Sequence, residues 1–476
     1  MKRVLIISYY WPPAGGSGVQ RWVKFAKYLP AEGWQPVVYT PQNPELSSVD
    51  ETLLKDIPAE AEIIKRPILE PYGFYRRLFG SKSSTDMQSL IKDSAVSATG
   101  GEVNPISGGS KSWKQSLSLW VRGNLFIPDP RVWWVCPSVR FLKKYLKEHP
   151  VDAIVTTGPP QSMHLIGRGL HRATGIPWVA DFRDPWTKMF YYKHLHLSKC
   201  ADRRHHRLEK SVLDEASAVI SVSPLVQREF QEMTSNRVEL ITNGFDASDF
   251  DGAFVGEECS SEESCHPRQR KREGPSDSWE GSCAAGHSAD EHSSPTTFNI
   301  THTGLFAEDG NPLALWDAIA AKCAEDEAFA QALRIRLVGK VDTAIITALS
   351  ERGLAGHVDT LGYRSHDEAV AEQRAAGLLI LPLRQEPEYR NVLPGKIFEY
   401  LASGRPVLGI GQEDGAAAKV LTDSGVGVMY DWDKAGQIRA AIDAAWNGTF
   451  PFSPSGIGRY TRSALTHKLA ELLGSL

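Results

Sequence analysis

The chain has 476 residues, of which 42% are hydrophobic and 23% charged, and a formal net charge of −4. That length exceeds one ordinary core and implies two or three globular domains, while the near-neutral balance excludes a whole-chain electrostatic case for nucleic-acid binding. Six cysteines without a C-x-x-C pair exclude a zinc-finger or disulfide framework and favour a reducing cytoplasm.

The opening MKRVLIISYYWPPAGG imitates a secretory signal, but its apolar run is short and meets Trp11-Pro12-Pro13 and a glycine loop. A first β-strand is the better reading. No run of 18 apolar residues occurs, so no spanning helix is expected. GVQRWVKFAKYLPAEG is helical, with Trp22, Phe25, Ala26 and Leu29 on one stripe and Lys24 and Lys27 turned outward. PVVYT is a second strand. After a Ser-, Gly- and Lys-rich stretch at 81–115, expected to be a mobile surface excursion, the pattern resumes. DAIVTTGPP, SMHLIGRGLHRATG and IPWVADFRD read as strand, helix and strand, as do ASAVISVS, PLVQREFQEM and VELITNGFD. Such repetition implies a mostly parallel sheet covered on both faces.

Residues 251–297 contain too few large apolar side chains to offset their ordering entropy and read as a disordered linker or insertion. Alternation then restarts with FNITHTG, NPLALWDAIAAKCAED, LRIRLVGK, TAIITALSERG, HVDTLGY, HDEAVAEQRAAG and LLILPL, and closes with GRPVLGIG, AAAKVLTDSG and VGVMY. The expected fold class is α/β: two Rossmann-like domains, 1–250 and 298–476, facing a central cleft, with the last residues packing back on the first domain.

In open α/β sheets ligands lie beyond the carboxyl ends of the strands. After the first strand, Gly15, Gly16 and Gly18 allow close backbone approach; a tight strand-to-helix turn is the alternative. Arg21 stands where the third glycine of a dinucleotide fingerprint would be, which disfavours a dehydrogenase. After IPWVA, Asp181, Arg183 and Asp184 either face a reacting centre or form a structural ion pair pinning the loop. His164 reads as a packed or surface residue. In the second half His302-Thr303-Gly304, Gly339-Lys340 and Gly362-Tyr363-Arg364 end strands with glycine. Lys340, Arg364 and Lys396 would meet at a diphosphate if their strands were neighbours; a solvated face is the alternative for each. In NVLPGKIFEYLASGRPVLGIG, Pro394, Gly395 and Lys396 begin a helix with free N–H groups suited to phosphate. Glu399, one turn on, suits sugar hydroxyls.

Together YYWPPAGGSGVQR, TTGPPQSMHL, ADFRDPW, ITHTG, LVGK, LGYRSHDEAV and LPGKIFEYLASGRPVL resemble the retaining GT-B glycosyltransferases, in particular glycosyltransferase family 4 of bacterial surface-polysaccharide type. The resemblance implies a C-terminal domain that binds the nucleotide sugar and an N-terminal domain on the acceptor side. It makes Glu399 the ribose-binding glutamate, and Gly15 and Gly16 the loop closing on the donor. It sets Pro394, Gly395, Lys396 and Gly304 at the diphosphate and sugar, and Asp181, Arg183 and Asp184 at the reacting centre. Two departures stand out. Asn391 occupies the place of a second glutamate, and Gly304 leads into Leu-Phe-Ala-Glu-Asp-Gly-Asn without the family's usual arginine and lysine. Charge neutralisation then falls on Lys340, Arg364 or Lys396.

The expected function is sugar transfer from a nucleotide-sugar donor to a glycan or lipid-linked acceptor in cell-surface polysaccharide synthesis, with no cofactor. The loops offer no obvious D-x-D metal motif, so no divalent cation is expected. Nine of the thirteen tryptophans lie in the first half, and RFLKKYLKEH and KMFYYKHLHLSKCADRRHHRLEK mix cations with aromatics, which suits the inner surface of a cell membrane. Ordinary basic helix faces are the alternative. A sugar-nucleotide 2-epimerase of the same fold and a non-catalytic nucleotide-sugar-binding homologue are the competing functions.

Overall fold

The computed structural model describes residues 1–15, 17–44, 49–68, 120, 123–189, 192, 195–250 and 297–476. The expected excursion at 81–115 and all but the last residue of 251–297 lie outside them. The first sheet has seven strands in the order β3-β2-β1-β4-β5-β6-β7. These are β1 (Lys2–Ile7), β2 (Trp34–Pro41), β3 (Glu62–Arg66), β4 (Ala153–Gly158), β5 (Trp178–Phe182), β6 (Ala218–Ser221) and β7 (Val238–Leu240). All pair in parallel, with Val4 opposite Ala153 and Ile7 opposite Thr156 across its centre. Helices α1 (Ser17–Tyr28), α2 (Val132–Glu148), α3 (Ser162–Thr174), α4 (Lys199–Glu215) and α5 (Pro224–Met233) connect them.

The second sheet has six parallel strands in the order β10-β9-β8-β11-β12-β13. They are β8 (Phe298–Thr303), β9 (Leu333–Val338), β10 (Val358–Gly362), β11 (Leu378–Pro382), β12 (Val407–Ile410) and β13 (Gly427–Tyr430). Between and after them run α6 (Leu313–Glu325), α7 (Glu327–Ala332), α8 (Thr343–Glu351), α9 (His366–Arg374), α10 (Gly395–Ala402), α11 (Ala416–Asp423), α12 (Ala435–Trp446) and α13 (Arg462–Gly474). Ser365 and Glu368 form a reciprocal capping box that starts α9.

Continuous apolar strands result because both faces are covered. In β1, Leu5 and Ile7 join one core cluster while Val4 and Ile6 join the cluster on the opposite face, the period of two that a pleated strand imposes. The expected stripe is buried: Trp22, Phe25 and Ala26 of α1 and Leu29 directly after it all pack under the sheet. Fully burying a side chain such as Leu29 contributes about 1.5–3 kcal/mol.

Lys24 departs from the expected outward orientation. It is only 7% exposed, and its ammonium lies 2.9 Å from Asp56 and 2.7 Å from Asp246. Lys27, half-buried, contacts the same two carboxylates at 2.9 Å each. The flank that α1 would show to water is covered by the turns around Asp56 and Asp246, and helical periodicity carries no sign of segments so distant in sequence.

The two halves exchange their terminal segments. Phe245 and Phe250 pack into the second half's core with Phe398 and Tyr400. Conversely Leu465, Leu469, Leu472 and Leu473 of α13 pack against the α1 face of the first sheet. Where the strands of chain cross, the Phe245 N–H donates to the Tyr460 carbonyl (3.1 Å) and the Arg462 N–H to the Phe245 carbonyl (2.8 Å). A Cβ at Gly244 would meet the Tyr460 oxygen at 2.1 Å, so the crossing admits glycine only.

Candidate active site between the two sheets

Each sheet reverses its winding at its centre, between β1 and β4 in the first and between β8 and β11 in the second. Crevices at such points are where open α/β sheets hold ligands. In the second half β8 ends in Thr303-Gly304. Gly304 has φ +93° and Gly339 φ +111°, and a Cβ on Gly339 would lie 2.5 Å from the Gly304 carbonyl oxygen. Both turns therefore need glycine.

Beside this turn α10 begins at Gly395 after Pro394, with no side chain capping its N–H groups. Lys396 in its first turn donates from Nζ to His302 Nε2 (2.9 Å) and weakly to the Leu305 carbonyl (3.4 Å). A Cβ on Gly304 would stand 3.4 Å from that Nζ. Burial pulls the Lys396 amine down to about 8, against the upward pull of Glu399. Glu399 lies one turn further along. Its Oε2 accepts from Gln373 Nε2 (3.0 Å), which also donates to Thr303 Oγ1 (3.1 Å), while the Thr303 N–H donates to the Tyr400 hydroxyl (2.9 Å). The last two residues of β8 thus hold a cation of α10 directly and, through Gln373, a carboxylate.

The other expected cations do not join them. Lys340 is exposed, and Arg364, just beyond the outer strand β10, faces Glu368 at 3.7 Å. The strands are neighbours as required, but their side chains diverge into solvent.

The first half uses its crevice differently. Asp181 is fully buried and accepts from Arg21 Nη2 (2.8 Å) and Nε (3.2 Å), Trp22 Nε1 (2.7 Å) and Thr157 Oγ1 (3.0 Å). Burial alone would raise its pKa; the Arg21 charge and these donors hold it below the ordinary value. Arg21 also donates to the Thr242 (2.7 Å) and Ile241 (2.9 Å) carbonyls. This is the structural ion pair, one of the two readings open for Asp181, and it leaves the carboxylate no room for a substrate. Arg183 lies over Gly18, where a Cβ would come within 1.7 Å of Nη1, and donates to the Gly158 (3.2 Å) and Pro159 carbonyls. His164 is packed: its ring stacks on Phe182 at 4.4 Å, and burial pulls it down to about 3. Gly15 is partly buried in the loop above α1; Gly16 lies outside the described residues.

A cleft between the halves is lined by Arg183, Asp184 and Lys188 from one side and Glu388, Tyr389 and Asn391 from the other. Burial pushes the Asp184 carboxyl up, with Arg183 pulling the opposite way. Asn391 donates across the gap to Glu229 Oε1 (3.1 Å), whose other oxygen is 3.2 Å from Lys188. An acid at position 391 would set two carboxylates face to face, whereas the amide donates to one. A second bridge joins His366 Nε2 to Asp249 Oδ2 (3.1 Å) and raises the His366 pKa.

Two D-x-D spacings do occur, which corrects the expectation from the loops. Asp249-Phe250-Asp251 has its first carboxylate on His366 and its second outside the described residues. Asp431-Trp432-Asp433 follows the outer strand β13, away from β8. His302, Gln373, Arg21 and Glu229 were not legible as site residues. His302 carried the one available signal, a polar side chain in a buried strand two places before Gly304.

Residues 107–249 match the model for Glycosyltransferase Family 4, and residues 297–447 match that for Glycosyl transferases group 1. No curated protein sequence matches the chain. Among solved structures, a glycosyltransferase from Rickettsia africae is 13% identical with a TM-score of 0.53, covering 100% of this chain and 98% of the other. Sucrose-phosphate synthase from Thermosynechococcus elongatus is 15% identical, TM-score 0.54, with 100% and 99% covered. The lipopolysaccharide outer core galactosyltransferase WaaB is 11% identical, TM-score 0.54, with both chains covered 100%. These likenesses carry the fold. Among the described residues no helix is long and apolar enough to cross a membrane.

Proposed function

The chain is a glycosyltransferase of the GT-B fold, and from that premise we propose that it moves a sugar from a nucleotide-sugar donor to a glycan or lipid-linked acceptor in cell-surface polysaccharide synthesis. The observation that carries this reading is the Lys396 amine, held beside the Gly304 turn at the start of α10 with Glu399 one turn on. Negative charge grows on the departing diphosphate as the sugar acquires oxocarbenium character. Lys396 and the uncapped N–H groups of α10 are fixed where that charge develops, so they stabilise it without reorganising. Glu399, with Gln373 on one oxygen, accepts from the ribose hydroxyls. The acceptor enters from the Arg183–Asp184 side of the cleft. Anomeric configuration is retained, as in the family the motifs resemble, and no divalent cation takes part.

Contact with the inner face of a cell membrane fits the first half. Leu125 and Trp133 are 64% and 57% exposed near the start of α2, whose outer face carries Arg140, Lys143, Lys144 and Lys147. Co-flotation with anionic vesicles at low salt, lost at high salt, is the expected result.

The test is thermal stabilisation by nucleoside diphosphates and their sugars, followed by product analysis. A ligand at 100 times its Kd adds about 2.7 kcal/mol to stability. The matching nucleotide sugar stabilises the chain and is consumed only with an acceptor, in EDTA as well. Conversion without any acceptor marks an epimerase, and binding without conversion across an acceptor panel a non-catalytic homologue. Either outcome overturns the proposal.

A further inference from the structure

The reading above gives His302 no role of its own, yet among the described residues it is the nearer of the two hydrogen-bond partners of the Lys396 amine, at 2.9 Å. It sits in β8 at 1% exposure, and its ring packs on Phe306 with centroids 4.3 Å apart. Phe306 is itself buried and fixed by its N–H to the Lys340 carbonyl (2.9 Å). The imidazole is therefore packed against a fixed ring. Among the described residues its Nδ1 has no hydrogen-bond partner, and the contact to Lys396 is the one polar contact of this ring. A buried histidine that merely fills a strand would not need its free edge turned to the mouth of the crevice.

We infer that His302 is a positioning residue: its Nε2 lone pair accepts from Lys396 and holds the ammonium beside the Gly304 turn, where the donor diphosphate binds. This rests on the donor-site reading above. A lysine carries its charge on a flexible four-carbon stem, and without a fixed acceptor the amine samples many rotamers. With one, the cation is placed before the donor arrives, the condition under which a charge is most useful to a transition state.

The protonation states agree. Burial and the neighbouring Lys396 charge hold His302 well below its ordinary pKa, so the ring stays neutral and keeps its acceptor. The titratable groups facing the amine are His302 on β8 and Glu399 on its own helix; burial lowers the amine's pKa and Glu399 raises it.

The variants are His302→Leu, which removes the acceptor, and His302→Gln, which restores an oxygen near the Nε2 place. The first measurement needs no donor. Competitive acetylation of the full chain across pH, read by mass spectrometry, reports the neutral fraction of the Lys396 amine. Wild type should inflect near 8, His302→Leu at lower pH because an acceptor of the charged form is gone, and His302→Gln close to wild type. One inflection common to all three overturns the inference. The second measurement is transfer kinetics. His302→Leu should lower kcat/KM by about tenfold to a hundredfold, the size expected for a hydrogen bond to a charged group. His302→Gln should recover most of that loss. In a Lys396→Ala background His302→Leu should cost nothing more; an equal further loss overturns the inference. If His302→Leu does not fold, His302→Asn, polar but too short to reach, takes its place. A wild type that binds no nucleotide sugar refutes the donor reading, and the acetylation result still decides whether His302 holds the amine.

Discussion

At the centre of the first sheet a buried carboxylate meets a buried guanidinium, and the donors around Asp181 are spent on it. At the centre of the second, a lysine amine leans on neutral acceptors, His302 and more weakly the Leu305 carbonyl, and a carboxylate keeps an oxygen free of side-chain partners among the described residues. The strand order around the two centres is the same. One crevice is closed with its own side chains, giving a rigid wall, and the other is left with charges that lack full compensation. A repeated fold thus yields one surface that shapes the cleft and, on the proposed donor reading, one that would read the ligand, and the difference lies in a few side chains at strand ends.

The comparison breaks most visibly at Asp181. Asp181→Ala strands Arg21 in the core and should cost about 3–5 kcal/mol, seen as a large fall in melting temperature; unchanged melting with lost activity would return this residue to the reacting centre. Lys396→Ala should do the reverse. Turnover should drop about 100- to 1000-fold, the equivalent of about 3–4 kcal/mol, with melting scarcely altered. Comparable activity in that variant would remove the diphosphate assignment. Gly18→Ala tests how tightly the wall is packed, since the new Cβ would lie 1.7 Å from Arg183 Nη1. Overpacking of this kind costs about 1–3 kcal/mol, and adding Arg183→Ala should relieve part of it in the same melting assay. The smallest effect is on pH. On the donor reading proposed above, the diphosphate would bind the ammonium form of Lys396, whose free pKa is about 8. Donor affinity should be highest below that pH and weaken above it, by up to about tenfold per unit. Titration calorimetry one unit either side reads it, and equal affinities would count against the amine.

The sheets were legible because Val4 to Ile7 and Ala153 to Val155 are apolar on both faces, which few other environments tolerate. The start of the helix that carries Lys396 and Glu399 was legible from local grammar, a breaker followed by an uncapped helix start. Arg21 and Asp181 were not joined, since 160 residues separate them and each has an innocent local reading. His302 hid for the opposite reason: a histidine inside a strand looks like filling until the neighbour that uses its lone pair is placed beside it. Lys24 was misjudged because periodicity knows one helix and not the turns that cover it.

The crossing at Gly244 has a consequence for how the chain is made. A ribosome delivers the first sheet early, but the leucines that roof α1 belong to α13 and arrive only after the whole second half has been synthesised. Until then Trp22 and its neighbours lack their final cover, and the nascent first half has the greatest need of a chaperone.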